Sequence, residues 1–197
     1  MVIHIAAQFF SLLKRRITIK FFNKKNILTA ILIAFLYVAL TIFSTYALSP
    51  VNFGILQLNV ADALTVLPLF SLAAIPGLTV GCAAANTYCV LFKEMIPQDV
   101  VAGSLATLIA AVLTHIIGRK CNRKICYVVG PLPPVIVNTI IIGAELTIFY
   151  TKTTLKNLIL NTFYVLITKF IICYTLGLFL IYIIYKNNIY NKFLNKI

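Results

Sequence analysis

Charged residues are scarce in this sequence, and that scarcity excludes a soluble protein. Only 11% of the 197 residues are charged, while 61% are hydrophobic. A soluble domain carries roughly 25% charged residues, so this chain has too few polar side chains to cover a surface in water. The expected solvent is lipid, and no separate soluble domain fits within the chain.

Motifs that accompany catalysis are also absent. The sequence has no nucleophile elbow, no HExxH pattern and no phosphate-binding loop. Ser104 and His115 would lie about 16 Å apart on one helix, too far for a nucleophile and its base. We therefore expect no enzyme, and a chain without a nucleotide site cannot hydrolyse ATP itself.

The cysteines do not form a metal-binding pattern. The five cysteines include no CxxC pair and have no partner histidines, so a zinc site is not expected. We expect buried or reduced thiols, and neither a metal nor a cofactor in this chain.

Long apolar runs are what the sequence has in quantity. Crossing a bilayer takes about 20 apolar residues, and the chain has room for six such segments, with Pro68 as a kink in the second and residues 130–134 interrupting the fifth. The segments are approximately 27–48, 60–75, 77–92, 100–117, 127–150 and 155–185. The predicted fold class is all-α, a polytopic membrane protein with a six-transmembrane-helix bundle.

The net charge of +13 is distributed as the positive-inside rule requires rather than as a nucleic-acid-binding face. Six spans place thirteen lysines and arginines on one side of the membrane and three on the other. The crowded side holds Lys14, Arg15, Arg16, Lys20, Lys24, Lys25, Arg119, Lys120, Arg123, Lys124, Lys186, Lys192 and Lys196. We predict a multi-pass protein of the plasma membrane with both termini in the cytoplasm, and no nucleic-acid partner.

Three regions follow from this topology. Residues 27–186 form the membrane domain, and residues 187–197 form a basic cytoplasmic tail. Residues 1–26 form a basic cytoplasmic segment whose apolar stretch precedes its positive charge, the opposite of the order in a signal peptide. An interfacial helix on the inner leaflet and a disordered tail both fit this segment.

Ionisable residues at bilayer depth are the candidate functional groups, because burying a charge in lipid costs at least a few kcal/mol. Asp62, Glu145 and Lys169 meet this criterion, and Asn86 and Asn138 add amides within the spans. One interpretation is a ligand cavity open to the outside. The other is that Lys169 pairs with Glu145 only to make burial tolerable.

Several motifs closely resemble those of the queuosine-precursor transporter family (QueT), whose members are substrate-binding S components of energy-coupling factor (ECF) importers. The matching segments occur in the family's order and cover roughly residues 27–185. They are QLNVADALTVLPLF (57–70), AIPGL (74–78), GCAAAN (81–86), GSLATL (103–108), LPPVIVNTIIIGAEL (132–146) and CYTLG (173–177).

The resemblance implies a subunit with the ECF S-component fold that binds a 7-deazaguanine precursor of queuosine. Its partners would be a coupling transmembrane subunit and two ATPases, which would use the ATP. S components also dock the coupling subunit through an AxxxA pattern in the first helix, which Ala30 and Ala34 match; internal helix packing is the alternative for these small residues. The alternatives in function are a stand-alone secondary transporter, an S component for another vitamin-like substrate and a purely structural subunit.

The resemblance also implies a set of substrate-binding residues. Glu145 and Asp62 would accept hydrogen bonds from the ligand or bind a cationic group on it, and Asn86 and Asn138 would contact its ring carbonyl. Phe53 would stack on the base, and Gln57, Asn59 and Lys169 complete the predicted set of substrate-binding residues.

Three positions depart from the family pattern. Asn59 stands where the family has an arginine, and Lys169 stands where it has a late glutamate; Asp62 replaces a usual glutamate. If Asn59 and Lys169 face each other, they form a rewired polar pair. The other interpretation is a changed ligand.

Overall fold

A computed structural model describes residues 23–47, 58–93 and 95–187. Within these ranges the chain is helical and contains no strand, so the predicted all-α fold class is confirmed. The helices are α1 (Lys24–Ala47), a 3₁₀ helix (Val60–Leu69), α2 (Ala74–Phe92), α3 (Gln98–Lys120), α4 (Arg123–Val129), α5 (Leu132–Glu145), α6 (Leu155–Ile172) and α7 (Leu178–Lys186). A π-helical turn, Leu146–Tyr150, extends α5, and a second, Cys173–Gly177, joins α6 to α7.

The surface of the bundle is apolar, as expected in lipid. Five helical stretches are long and apolar enough to cross a membrane: Lys24–Ala47, Ala74–Phe92, Gln98–Lys120, Arg123–Tyr150 and Leu155–Lys186. Large apolar side chains point away from the bundle along these stretches, among them Phe35, 73% exposed, and Leu155, 74% exposed. The chain is a multi-pass membrane protein.

The second predicted span needs correction. Residues 60–75 were expected to form one helix kinked at Pro68, but the 3₁₀ helix ends at Leu69, directly after Pro68. The next helix begins at Ala74 rather than at Gly77, so Pro76 lies in the first turn of α2. Proline is tolerated there because the first N–H groups of a helix have no partner within it.

The 3₁₀ helix nevertheless passes from one end of the bundle to the other. Its ten residues rise about 20 Å, and flanking residues extend that reach. At its start the Val60 N–H donates to Ser44 Oγ over 2.9 Å, near the end of α1. At its other end the Leu69 backbone lies against Gly118, near the end of α3. With the five longer stretches, the described residues therefore contain six helical segments that run between the two ends of the bundle, five of them long enough to cross a membrane.

The two ends of the bundle differ in charge. The described basic residues at one end are Lys24, Lys25, Arg119, Lys120, Arg123, Lys124 and Lys186, and those at the other end are Lys93, Lys152 and Lys156. We call them the basic end and the opposite end. The distribution agrees with the predicted topology; which end faces the cytoplasm stays a prediction.

A tight seam joins α1 to α2. A Cβ atom on Gly77 would lie 2.8 Å from Ala30 O, and one on Gly81 would lie 3.0 Å from Ala34 Cα and 2.9 Å from Tyr37 Cβ. Only glycine permits this approach, and Ala30 and Ala34 are half-buried beside it. The small residues of the two helices therefore pack against each other, and the seam places Tyr37 beside the site described next.

Candidate functional site

A polar cavity of about 100 Å³ lies between the helices, towards the opposite end of the bundle. One water molecule needs roughly 10–15 Å³ by this measure, so the space suits several waters or a small polar ligand. Its lining residues are Tyr37, Asn59, Asp62, Cys82, Asn86, Met95, Asp99, Gly103, Thr107, Asn138, Ile142, Glu145, Leu146, Tyr150 and Lys169.

One wall of the cavity is an ion pair between α6 and the 3₁₀ helix. Lys169 Nζ lies 2.5 Å from Asp62 Oδ2, and the two side chains are 15% and 6% exposed. The Asp62 backbone carbonyl also accepts hydrogen bonds from Thr65 Oγ1 and Cys173 Sγ. The expected alternative, a pair between Lys169 and Glu145, is therefore wrong: the first turn of the 3₁₀ helix holds Asp62 nearer to Lys169.

The cavity lining also carries two carboxyl groups that interact with each other, those of Asp99 and Glu145. Asp99 lies in the first turn of α3, and its Oδ2 accepts hydrogen bonds from the Tyr150 hydroxyl and from the Ile96 N–H. Glu145 is the last residue of α5, directly before the π-helical turn. Its Oε1 is buried and has no hydrogen-bond partner.

Two amides complete this part of the cavity. Asn86 Nδ2 donates to the Asp99 carbonyl oxygen over 2.8 Å, and Asn138 Nδ2 donates to the Pro134 carbonyl oxygen over 2.7 Å. A side chain at position 103 would collide with the Asn86 amide, so Gly103 is what leaves room for it. Asn86 Nδ2 also donates to Cys82 Sγ over 3.8 Å, whereas Asn138 Nδ2 keeps a second N–H that can donate to a ligand.

Asn59 is the N-cap residue of the 3₁₀ helix. Its Oδ1 accepts from the Ala61 N–H over 3.0 Å, and its Nδ2 donates to Thr41 Oγ1 over 3.3 Å. Asn59 thus caps the 3₁₀ helix and ties its start to α1 while still lining the cavity. The rewired pair considered for Asn59 and Lys169 is not what the structure shows, because Lys169 pairs with Asp62 instead.

The structure brings together six of the predicted site residues: Asn59, Asp62, Asn86, Asn138, Glu145 and Lys169. Gln57 and Phe53 lie outside the described residues. Whether any of these side chains contacts a ligand stays a prediction.

Sequence reasoning missed Asp99, Tyr150 and Tyr37. Asp99 was assigned to a link before a span starting at residue 100, whereas α3 starts at Gln98 and buries it. The pattern Pro97-Gln98-Asp99 is typical of a helix start, since proline and acidic residues favour the first turn, and it would have placed Asp99 in the helix. No comparable signal marks Tyr37 or Tyr150.

His115 and the described cysteines are not grouped as metal ligands. His115 Nδ1 lies 2.8 Å from the Pro68 carbonyl oxygen, at the end of the 3₁₀ helix. Among the described residues no three His, Cys, Asp or Glu side chains are grouped as a metal site.

The comparisons with known proteins give one match. A family model described as "QueT transporter" matches residues 27–186. No curated protein and no solved structure matches the chain.

Proposed function

The chain belongs to the QueT transporter family, and we propose that it is the substrate-binding subunit of an ECF-type importer that takes up a 7-deazaguanine precursor of queuosine. The observation that carries this proposal is the polar cavity, in which the buried Glu145 Oε1 has no hydrogen-bond partner. Leaving a buried acceptor unsatisfied costs about 1–3 kcal/mol, a cost that a ligand donor would remove.

The cavity offers the groups that such a ligand needs. A 7-deazaguanine presents adjacent donors at a ring nitrogen and the exocyclic amine, which one carboxylate can accept together in strong bidentate geometry. Glu145 is the proposed acceptor. The second N–H group of Asn138 is the proposed donor to the ring carbonyl, since its first N–H bonds to the Pro134 carbonyl. Asn86 would join it by exchanging its hydrogen bond to Cys82 Sγ for one to the ligand.

The importer would need other subunits for energy. The sequence has no phosphate-binding loop, so ATP would be used by two partner ATPases through a coupling transmembrane subunit. We propose no cofactor and no catalytic step in this chain. We also propose that the basic end faces the cytoplasm, which puts the cavity towards the outer face.

The proposed docking face for the coupling subunit remains the region of Ala30 and Ala34. Their backbones contact α2 at the seam, but neither side chain is fully buried. A partner would therefore have to reach them from the rim of the seam.

Calorimetry and transport with the purified full chain test the proposal. We expect 7-deazaguanines to bind to the detergent-solubilised subunit, and uptake into proteoliposomes to require the coupling subunit, the ATPases and ATP. Uptake by the subunit alone would favour a stand-alone secondary transporter. Binding of another vitamin-like compound but no deazaguanine would favour a different S-component substrate, and binding of no metabolite would favour a structural subunit.

A further inference from the structure

Asn161 on α6 is a buried amide that lies outside the cavity. It is 1% exposed and is not among the lining residues. Burying an amide costs free energy unless its hydrogen bonds are made. Asn161 Nδ2 makes two, to Thr147 Oγ1 over 3.0 Å and to Thr151 Oγ1 over 3.1 Å. Both N–H groups of the amide therefore bond to the segment that directly follows Glu145.

The two threonines belong to the π-helical turn at the end of α5. Thr147 lies within Leu146–Tyr150, and Thr151 is the residue that ends the turn, where its N–H donates to the Leu146 carbonyl oxygen over 3.1 Å. A π-helical turn is a rare conformation. The two hydrogen bonds from Asn161 stabilise the beginning and the end of this turn together.

Close packing of α6 against α5 holds the donor beside the turn. A Cβ atom on Gly143 would lie 2.7 Å from Thr162 Oγ1 and 2.9 Å from Thr162 Cα, so only glycine permits this approach. Thr162 directly follows Asn161, and Thr147 Oγ1 donates to the Gly143 carbonyl oxygen over 2.8 Å. The backbone of α6 therefore places the Asn161 amide within reach of both threonines.

The π-helical turn carries Tyr150, which lies at the edge of the cavity. Tyr150 lines the cavity and is also 41% exposed, so it separates the enclosed space from the outside. Its hydroxyl donates to Asp99 Oδ2 and accepts from the Ile96 N–H over 3.2 Å. These contacts join the end of the turn to the start of α3 across the edge of the cavity, which we call the mouth.

We propose that Asn161 is a positioning residue, which holds the π-helical turn so that Tyr150 stays on Asp99 and keeps the mouth of the cavity closed. Without the amide, relaxation of the turn to α-helical hydrogen bonding would rotate Tyr150 by up to roughly 100° about the helix axis, the angular step of one residue. The hydroxyl would then leave Asp99. That this closure retains a bound 7-deazaguanine rests on the proposed function, whereas the closure itself can be measured without a ligand.

A thiol inside the cavity reports whether the mouth is open. Cys82 lines the cavity, and Cys89, about two turns further along α2, does not; both are 4% exposed. The detergent-solubilised full chain is treated with methyl methanethiosulfonate, a small uncharged thiol reagent, and peptide mass spectrometry gives the modification rate at each cysteine. Opening of the mouth should raise the rate at Cys82 alone, whereas loosening of the whole fold should raise both rates.

Two single variants and their combination test the proposed route from Asn161 to the mouth. Asn161→Leu replaces the amide with two methyl groups, and Tyr150→Phe removes only the hydroxyl. We expect each to raise the Cys82 rate roughly 2- to 10-fold, as the loss of one hydrogen bond implies, and to leave the Cys89 rate unchanged. Because both changes act through the same contact, the double variant should not exceed the larger single effect.

Two further variants control for the substitution itself. Asn157→Leu removes an amide one turn earlier on α6, which donates to the Lys152 carbonyl oxygen beyond the π-helical turn, and it should change neither rate. Thr151→Val removes one of the two acceptors of Asn161 at almost unchanged volume. It should raise the Cys82 rate by a smaller factor, and it tests the proposal even where Asn161→Leu does not fold.

Each contrary outcome has a distinct meaning. A Cys82 rate that stays unchanged in Asn161→Leu and Thr151→Val would overturn the proposal. Equal rises at both cysteines would show that Asn161 supports the fold only, and rates that multiply in the double variant would show that it does not act through Tyr150; either result overturns the proposal, as would an equal effect of the control. If calorimetry detects no binding of a deazaguanine, the proposed function fails, and the labelling rates still decide whether Asn161 closes the mouth.

Discussion

Lys169 on α6 and Asp62 on the 3₁₀ helix form an ion pair of 2.5 Å that closes one side of the cavity. Asp62 is the first acidic residue after α1, and Lys169 follows it by 107 positions, so the pair ties the early part of the chain to its last long helix. In a protein surrounded by lipid, neither charge would be tolerated alone at this depth. The pair therefore holds the site together as well as lining it.

Removing one member of this pair should destabilise the fold. Lys169→Met keeps the length of the side chain and leaves Asp62 buried without a counter-charge, which typically costs roughly 3–5 kcal/mol. We expect a clearly lower thermal unfolding temperature in detergent. The double variant Asp62→Asn with Lys169→Met carries no charge there and should recover most of the loss; a double variant no more stable than Lys169→Met would show that buried charge is not the cause.

Glu145→Gln should weaken ligand binding without unfolding the chain. The substitution keeps the volume but replaces one carboxylate oxygen with an N–H donor that competes with the donors of the ligand. Loss of a charge-assisted hydrogen bond costs roughly 1.5–3 kcal/mol, or about one to two decades in affinity. Calorimetry with 7-deazaguanines measures the change. The control is Thr139→Val, which alters a buried hydroxyl on α5 that does not line the cavity. An unchanged dissociation constant would remove Glu145 from the site.

Much of the cavity follows from one sequence argument, the cost of charge in lipid. That argument selected Asp62, Glu145 and Lys169, which all line the cavity. It gave the depth of each group along its helix but not the rotation of the helix, so it left Lys169 with the wrong acidic partner. Choosing between Asp62 and Glu145 requires knowledge of how three helices pack.

The local deviations from regular helix were beyond sequence reasoning. Hydropathy predicted an apolar segment around Pro68 but does not distinguish a 3₁₀ helix from a kinked α-helix. The π-helical turn Leu146–Tyr150 changes the direction in which the residues after Glu145 point around the helix axis. Such turns often occur at functional sites. Tyr150 reaches Asp99 from this turn, an arrangement that the periodicity of α5 alone would not indicate.

The seam between α1 and α2 should not tolerate a side chain. Gly81→Val would place a branched side chain against Ala34 and Tyr37, where even a Cβ lies within 3.0 Å of both. Overpacking of this kind costs roughly 1–3 kcal/mol, and the displaced Tyr37 should also weaken binding. Thermal unfolding and calorimetry measure both effects. Ala84→Val, on an exposed face of α2, is the matched control; equal effects of the two variants would contradict the seam argument.

The orientation of the bundle can be measured with single cysteines. In a background without the five native cysteines, Lys152→Cys should react with an impermeant maleimide in intact cells. Lys124→Cys should react only after permeabilisation. Both side chains are exposed, so a difference would report the side of the membrane rather than burial. The reverse pattern would put the basic end outside, against the charge distribution.

Ala34 is predicted to dock the coupling subunit, but it also packs against α2, so the experiment has to distinguish these two roles. Ala34→Trp should reduce co-purification with the coupling subunit and the ATPases, because a bulky side chain prevents close approach of helix backbones. The same change also threatens the contact with Gly81, so thermal unfolding and ligand affinity of the isolated subunit are measured in parallel. Ala39→Trp, on an exposed face of α1, controls for added bulk in lipid. Lost assembly with near-native stability and affinity would assign Ala34 to docking; lost stability in step with assembly would assign it to the seam, and full assembly would put the docking face elsewhere.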